Sequence, residues 1–181
     1  MEVLKTNIDG VLLIKPKIFG DSRGYFFEFY SEKEQDFLSE NEKFVQDNQS
    51  MSHANVLRGL HMQQAPFSQG KFVRVITGAV LDVVVDGRKN SPTFGKHLTE
   101  ELSSENHHML YIPAGCLHGF TTLKDNTIFT YKCTNYYNKE SEITVSWNDP
   151  ALGIDWKCLN PIISDKDTNG ILFKDYIEKF T

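Results

Sequence analysis

A short segment in the first half of the chain combines residue types that can move a proton at carbon. The segment 58–63, with the sequence RGLHMQ, contains Arg58 and His61, and Lys71 follows ten residues after the histidine. An imidazole can act as a general base near neutral pH, and fixed cations beside it can stabilise an anion that develops on a substrate. The sequence therefore predicts a site that removes a proton from carbon and holds the resulting anion.

A second segment, 113–120, has the sequence PAGCLHGF. In cupin barrels, the spacing Pro-x-Gly-x-x-His closes a turn and directs a histidine into the cavity. Here that histidine is His118. Two inward-facing histidines, His61 and His118, on one small barrel predict a shared pocket.

A metal site is the first alternative, since many cupin barrels bind iron, manganese or zinc through three histidines and a glutamate. Their usual first motif requires a His-x-His pair followed by a glutamate. This chain has Gln63 at the second histidine position, and Phe67 and Ser68 stand where the glutamate should fall. We therefore expect no catalytic metal.

The adjacent pair His107 and His108 lies in a polar stretch of the sequence. Neighbouring residues on a strand point to opposite faces, so the two imidazoles are poorly suited to bind one ligand together. We expect a solvated loop at this position.

The composition is that of a globular protein with more sheet than helix. The chain has 181 residues, of which 40% are hydrophobic and 24% charged, and it contains 13 Phe and 7 Tyr beside clusters of Val, Ile and Thr. This length suits a single domain, 1–181, and the aromatic and β-branched residues favour strands. We expect one all-β domain with one site.

Charge and cysteine content narrow the class of protein. The formal net charge is -5, which argues against nucleic-acid binding because no basic face compensates for it. The chain has three cysteines, Cys116, Cys133 and Cys158, an odd number without a CxxC spacing. We therefore expect each to be a small buried hydrophobic residue with a free thiol, in a protein of a reducing compartment. No apolar run reaches the length of a signal or membrane-spanning segment. The sequence predicts a cytoplasmic protein without a membrane partner.

Strand signals are spread along the chain. Short runs rich in β-branched and aromatic residues are bounded by Gly, Pro, Asn or Asp, as is typical of a sandwich or barrel. They lie at 11–14, 25–29, 110–112, 118–123, 126–134 and 142–147. The densest signal, 72–76 and 79–86 around Gly78, predicts a hairpin whose second arm is buried on both faces.

Helix is expected to be a minor element. Ser31 and Glu34 have the spacing of a capping box, which predicts a short helix through about Glu40. The segment 173–180 is expected to form a closing helix.

Strict alternation along a strand would place Arg58 and His61 on opposite faces. Gly59 between them can mark a β-bulge that changes the register. Otherwise Arg58 must reach a ligand from a strand end. The sequence is consistent with both arrangements.

Further motifs follow one another in order along nearly the whole chain. They are F-x-D-x-R-G at 19–24, Q-x-N-x-S at 46–50, RGLHMQ at 58–63, Q-x-K at 69–71, the run 82–88, SPT at 91–93, PAGCLHGF at 113–120, Tyr131, WNDP at 147–150 and S-x-K-D at 164–167. This series resembles the nucleotide-sugar 3,5-epimerases typified by dTDP-4-dehydrorhamnose 3,5-epimerase. The resemblance implies a cupin-like double-stranded β-helix, or jelly-roll barrel, with short peripheral helices and no cofactor.

The resemblance also implies a reaction, the epimerisation at C3 and C5 of dTDP-4-dehydro-6-deoxyglucose to dTDP-4-dehydrorhamnose. The 4-keto group acidifies both hydrogens, so that a base can remove them and leave an enolate. By similarity, His61 is the base, and Asp167 orients its imidazole and strengthens it. Lys71 stabilises the enolate oxygen, and Tyr131 returns a proton on the opposite face.

The same resemblance assigns the substrate-binding residues. Arg23 and Arg58 are expected to bind the nucleotide diphosphate, since a guanidinium suits phosphate oxygens. Further polar contacts are expected from Glu28, Gln46, Asn48, His118, Glu142 and Lys166. Phe19 and Phe26 are expected to pack against the base or the deoxyribose. The family also implies a homodimer with exchanged N-terminal strands, in which residues 23–28 complete the neighbouring site.

Departures from the usual family pattern leave the identity of the sugar open. Met62 replaces a common aromatic, Cys116 and Leu117 stand where Phe-Ala is frequent, and Lys157 stands where proline is usual. The alternatives are a C3-only epimerase, a 3,4-ketoisomerase of a related nucleotide sugar, and a non-catalytic sugar-nucleotide binding module. Retention of Tyr131 favours double epimerisation.

Overall fold

The computed structural model describes residues 1–34 and 42–180. Most regular structure in these residues is strand, as the aromatic and β-branched content predicted. The strands are β1 (Glu2–Lys5), β2 (Leu12–Lys15), β3 (Phe19–Asp21), β4 (Gly24–Phe26), β5 (Gln46–Ser52), β6 (Leu57–Gln63), β7 (Lys71–Thr77), β8 (Ala79–Asp86), β9 (His97–Ser103), β10 (Met109–Ile112), β11 (Cys116–Thr122), β12 (Thr127–Cys133) and β13 (Glu142–Thr144).

Helices are short and peripheral. Two 3-10 turns span Glu32–Glu34 and Lys139–Ser141, and two α-helices, α1 (Asp165–Thr168) and α2 (Phe173–Phe180), follow the last strand. The predicted closing helix is confirmed as α2. The helix predicted from Ser31 begins with the first 3-10 turn, and its remainder lies outside the described residues. In the part of the chain that is described, no helix is long and apolar enough to span a membrane.

The described strands form two antiparallel sheets and a separate hairpin. One sheet has the order β1-β2-β10-β7-β12-β5, and the other has the order β13-β6-β11-β8-β9. The hairpin consists of β3 and β4, which pair with each other. Repeated crossing of the chain between two sheets is typical of a jelly roll. The predicted cupin-like all-β barrel is confirmed.

The main core lies between the two sheets. Val75 of β7 and Phe129 of β12 belong to one buried cluster with Val84 of β8. Val85, on the opposite face of β8, packs in a second cluster with Phe173 of α2. β8 is therefore buried on both faces, as its unbroken apolar run predicted.

The predicted hairpin between 72–76 and 79–86 is wrong. Both strands exist, but β7 pairs with β10 and β12, whereas β8 pairs with β9 and β11. Gly78, with a φ of +84°, carries the chain from one sheet to the other. The apolar pattern predicts a strand without specifying its partner, because partners are set by contacts between residues distant in sequence.

Other strand predictions are confirmed with shifted bounds. The strand predicted at 25–29 ends at Phe26, and the one predicted at 142–147 ends at Thr144. Two of the predicted buried cysteines, Cys116 and Cys133, are buried, while Cys158 is half-buried. All three are free thiols.

β6 contains a bulge at Gly59, one of the two arrangements that the sequence allowed. His61 pairs with His118 and Arg58 pairs with Phe120, so β6 has one residue more than β11 between the two pairs. Gly59 has a φ of +129°, which a residue with a side chain rarely adopts. The extra residue turns Arg58 and His61 toward the same side of the sheet.

We expect Gly78→Ala to destabilise the protein by roughly 2–4 kcal/mol, because alanine resists a positive φ and its methyl would overlap Thr127. Gly153→Ala is the matched control. Its φ is +59° and nothing lies within 4 Å of an added Cβ, so it should cost roughly 1 kcal/mol of backbone strain. Urea unfolding followed by tryptophan fluorescence measures both. Equal losses of stability would contradict the steric role of Gly78.

Candidate active site

A cavity of about 360 Å³ opens between the two sheets. Its lining residues come from both sheets and from the segment around α1. They are Gln49, Ser50, Arg58, His61, Lys71, His118, Gly119, Phe120, Phe129, Tyr131, Glu142, Ser164, Lys166 and Asp167. The four residues predicted to be catalytic therefore share one cavity.

His61 is paired with a buried carboxylate. Its Nε2 lies 2.5 Å from Oδ1 of Asp167, which is 3% exposed. Ser164 begins α1 and its hydroxyl accepts from the amide of Asp167, which fixes the position of the carboxylate. Burial alone would raise the pKa of Asp167, but the hydrogen bond and charge of His61 outweigh burial and lower it. The ionised carboxylate orients the imidazole and leaves its other ring nitrogen available as a base.

His118 lies directly across from His61 in the register of β6 and β11. Its Nε2 is 2.9 Å from Oδ2 of Asp82, a residue of β8 that is fully buried. Burial lowers the pKa of His118, although the Asp82 charge opposes this shift. The cavity thus contains two adjacent His-Asp pairs, and the pair with His61 is the more exposed of the two.

Lys71 and Tyr131 lie on the opposite sheet. Lys71 begins β7 and Tyr131 is in the middle of β12, next to β7 in the sheet. Burial lowers the pKa of Lys71, while Cys133, Asp82 and Glu142 act against that shift. Burial raises the pKa of Tyr131 and so keeps its phenol protonated at neutral pH. A ligand in the cavity would lie between the imidazole of His61 on one wall and the phenol of Tyr131 on the other.

A short polar chain runs along the lining of the cavity. Lys166 donates to Oε1 of Glu142 at 2.8 Å, and the hydroxyl of Tyr137 donates to Oε2 of the same carboxylate at 3.2 Å. Glu142 also lines a second lobe of about 270 Å³ that shares His61 and Lys71 with the main cavity. The lining therefore presents a cation, a carboxylate and a phenol close together.

Gln46 and Asn48, two predicted binding residues on β5, line the second lobe. The side-chain amide of Gln46 donates to Oδ1 of Asn48 at 3.0 Å. Arg58 lines the main cavity and donates from two guanidinium nitrogens to the hydroxyl of Ser52, at 3.2 and 3.1 Å. A hydroxyl leaves the charge of Arg58 unneutralised, so the guanidinium remains available to an anion.

Four predicted binding residues do not line this cavity within a single chain, and their assignment to a site remains a prediction. Phe19 and Phe26 are 53% and 69% exposed, and Glu28 is also exposed. The side chain of Arg23 is 88% exposed and pairs with Asp21. The physical reason is that the β3-β4 hairpin pairs with neither barrel sheet.

The residues present do not fit a cupin metal site. Gln63, at the position of the second histidine ligand, donates to the carbonyl oxygens of Phe67 and Tyr136 and accepts from the amide of Asn138. His61 and His118 are each paired with a carboxylate. In the described part of the chain, no group of three or more His, Cys, Asp or Glu side chains could hold a metal ion.

Sequence reasoning missed several residues of the site, and among them Asp82 and Tyr137 bond directly to predicted site residues. Asp82 was noticed as part of a motif but was not assigned to the site. An acid in the middle of the apolar run 79–85 requires a buried partner, and the structure shows that this partner is His118. Tyr137 gave no comparable signal, because it follows β12 in an irregular segment with several polar residues.

Residues 5–175 match the family model described as dTDP-4-dehydrorhamnose 3,5-epimerase. The dTDP-4-dehydrorhamnose 3,5-epimerase of Shigella flexneri is 48% identical over 176 residues, which cover 97% of each chain. The crystal structure of the protein of the same name from Elizabethkingia anophelis is 48% identical, with a TM-score of 0.92 over 97% of each chain.

A third relative was solved with a ligand. The dTDP-6-deoxy-D-glucose-3,5-epimerase of Legionella pneumophila, in complex with dTDP-4-keto-L-rhamnose, is 44% identical, with a TM-score of 0.90. The match covers 96% of this chain and 93% of that one. Agreement in sequence and fold over almost the entire length shows that the chain belongs to the dTDP-4-dehydrorhamnose 3,5-epimerase family.

Proposed function

We propose that the protein epimerises C3 and C5 of dTDP-4-dehydro-6-deoxyglucose to give dTDP-4-dehydrorhamnose, as one cytoplasmic domain without a cofactor. The observation that carries this proposal is the arrangement of the cavity walls. His61 with Asp167 lies on one side and Tyr131 with Lys71 on the other. A base and an acid on opposite walls are what inversion at carbon requires.

The first half of the reaction is proton abstraction. The free nitrogen of His61 takes the proton from the carbon next to the 4-keto group. The electron pair of that C–H bond forms a carbon–carbon double bond, and the carbonyl π pair moves onto the oxygen to give an enolate. Lys71 stabilises the negative oxygen, and its burial strengthens this attraction because little water screens it.

The second half returns a proton to the other face of the same carbon. The phenol of Tyr131 donates it, the double bond reverts to a ketone, and the phenolate recovers a proton from solvent. The raised pKa of Tyr131 keeps the phenol protonated until an enolate forms beside it. His61 releases the abstracted proton to solvent, and repetition at the second carbon then completes the double epimerisation.

The remaining polar residues bind the nucleotide and the sugar. Arg58 and Lys166 attract the diphosphate, while Gln46, Asn48 and Glu142 contact the rest of the ligand. The imidazole of His118, held by Asp82, hydrogen-bonds a sugar oxygen. The sequence has no glycine-rich phosphate-binding loop, so side chains must bind the phosphate oxygens.

The protein acts as a homodimer in which the β3-β4 hairpin of each protomer completes the site of its partner. The exposed surface of the hairpin supports this assignment, because it carries the rings of Phe19 and Phe26 beside the guanidinium of Arg23. A second copy of the chain would cover these side chains and give them contacts. In the partner's cavity Arg23 contacts the diphosphate, Glu28 adds a polar contact, and the two rings pack against the nucleoside.

We expect His61→Asn to abolish proton exchange at both carbons, and Asp167→Asn to slow turnover on the order of 10²-fold or more, because each removes part of the base. The exposed pair of His53 and Asp125, whose Nδ1 and Oδ1 are 3.0 Å apart, provides the matched control His53→Asn. Turnover of dTDP-4-dehydro-6-deoxyglucose measures all three. Wild-type turnover in His61→Asn would contradict the proposed mechanism.

We expect Tyr131→Phe to impair reprotonation more than abstraction, because the phenol acts only after the enolate has formed. In D2O the variant should still exchange substrate hydrogen for deuterium. Its rate of forming epimerised product should be lower than that of the wild type by a factor on the order of 10². Nuclear magnetic resonance follows exchange and product together. An equal decrease in both rates would indicate that Tyr131 is needed before proton removal.

A further inference from the structure

The hairpin is attached to its own barrel through a cluster on the outer face of the six-stranded sheet. We call Tyr25, Phe27 and Phe29 the hairpin stem. Arg74 of β7 meets this stem, with its Cζ 5.4 Å from the ring centroid of Phe27 and 4.2 Å from that of Phe29. Both distances are typical of cation–π contacts.

Arg74 points away from the cavity of its own barrel. Lys71, Val73 and Val75 face the barrel interior, so alternation along β7 turns Arg74 to the outer face. In the described residues its Nη1 is buried without a hydrogen-bond partner. A buried guanidinium nitrogen without a partner is costly, and an unbranched apolar side chain would cover the same rings without that cost. What the cation adds is a fixed geometry, because its contacts with the rings of Phe27 and Phe29 hold the stem in one position.

His107 completes the cluster and corrects a sequence prediction. It was expected in a solvated loop, yet it is half-buried, and its ring centroid lies 4.9 Å from Tyr25 and 5.0 Å from Phe27. Its φ of +55° lies in the left-handed region, which few residues other than glycine adopt. Burial and the Arg74 charge lower the pKa of His107, which favours the neutral ring beside the cation. The stem is thus held from two sides.

We propose that Arg74 is a positioning residue that acts in trans: by fixing the hairpin stem of its own protomer, it sets where Arg23 enters the partner's cavity. This inference rests on the shared site proposed above. Arg74 touches no substrate, and the cavity that depends on it belongs to the other protomer.

The first test uses Arg74→Met, which keeps an apolar side chain and removes the cation. The KM for dTDP-4-dehydro-6-deoxyglucose should rise roughly 10-fold, the scale of a lost desolvated cation–π contact. The kcat should change less because His61 and Lys71 are unaltered. Lys132→Met is the matched control. Lys132 also lies over a ring on the outer face, that of Tyr30, and within the described residues it makes no cation–π contact with the stem, so the KM of this variant should match wild type.

The decisive test uses purified mixed dimers that carry His61→Asn in one protomer and Arg74→Met in the other. The Arg74→Met protomer keeps its base and receives an intact hairpin, so the mixed dimer should have one working site, with wild-type KM and about half the wild-type kcat per dimer. If Arg74 acts within its own protomer, the KM will stay as high as in the Arg74→Met homodimer. That result, or a wild-type KM in the Arg74→Met homodimer, would overturn the proposal.

A second mixed dimer separates this inference from the shared site on which it rests. It combines His61→Asn with Arg23→Met. If the dimer with Arg23→Met regains activity but the dimer with Arg74→Met keeps its high KM, the hairpins are exchanged but Arg74 does not position them. Failure of both pairs refutes the shared site and the inference together. If Arg74→Met does not fold, Phe29→Leu replaces it, since Phe29 is 40% exposed and its loss spares the core.

Discussion

The backbones of β6 and β11 meet at Gly59 and Gly119, and this close approach determines how the cavity is lined. A Cβ on Gly59 would lie 2.5 Å from Cα of Gly119, and a Cβ on Gly119 would lie 2.7 Å from the carbonyl oxygen of Arg58. Because neither residue has a side chain, β6 can bulge while remaining paired. Arg58 and His61 then face one cavity, with His118 directly opposite His61.

The chemistry of the cavity depends on ionisable side chains that are buried in its walls. Asp82 and Asp167 are 0% and 3% exposed, and buried carboxylates are stable only when paired. Each holds one imidazole, so both rings are oriented before a ligand arrives. On the other wall, burial acts on Lys71 and Tyr131 in the same sense, since it disfavours the charged form of each. Two rigid sheets therefore present preorganised groups to opposite faces of a ligand.

Much of the site was predictable from sequence because its residues lie in short motifs. The sequence predicts His61, Lys71, Tyr131 and Asp167 as site residues, the last two mainly by resemblance, and all four line one cavity. The pairing of β7 with β8 was predicted wrongly, since hydrophobic pattern does not specify strand partners. β5 was missed because its sequence, QDNQSMS, lacks β-branched residues, yet alternate side chains still face inward. Arg23 and Phe26 are exposed and lie outside the cavity of their own chain, so their binding roles follow only from the proposed dimer.

The most direct test of opposite-wall proton transfer is proton nuclear magnetic resonance of the wild-type protein with dTDP-4-dehydro-6-deoxyglucose in D2O. In this mechanism His61 removes a proton, and Tyr131, whose hydroxyl hydrogen has exchanged with D2O, returns a deuteron. The product should therefore be inverted at C3 and C5 and carry deuterium at both carbons. Deuterium at C3 alone would identify a C3 epimerase. Retention of substrate hydrogen at both carbons of an inverted product would contradict proton transfer between two walls.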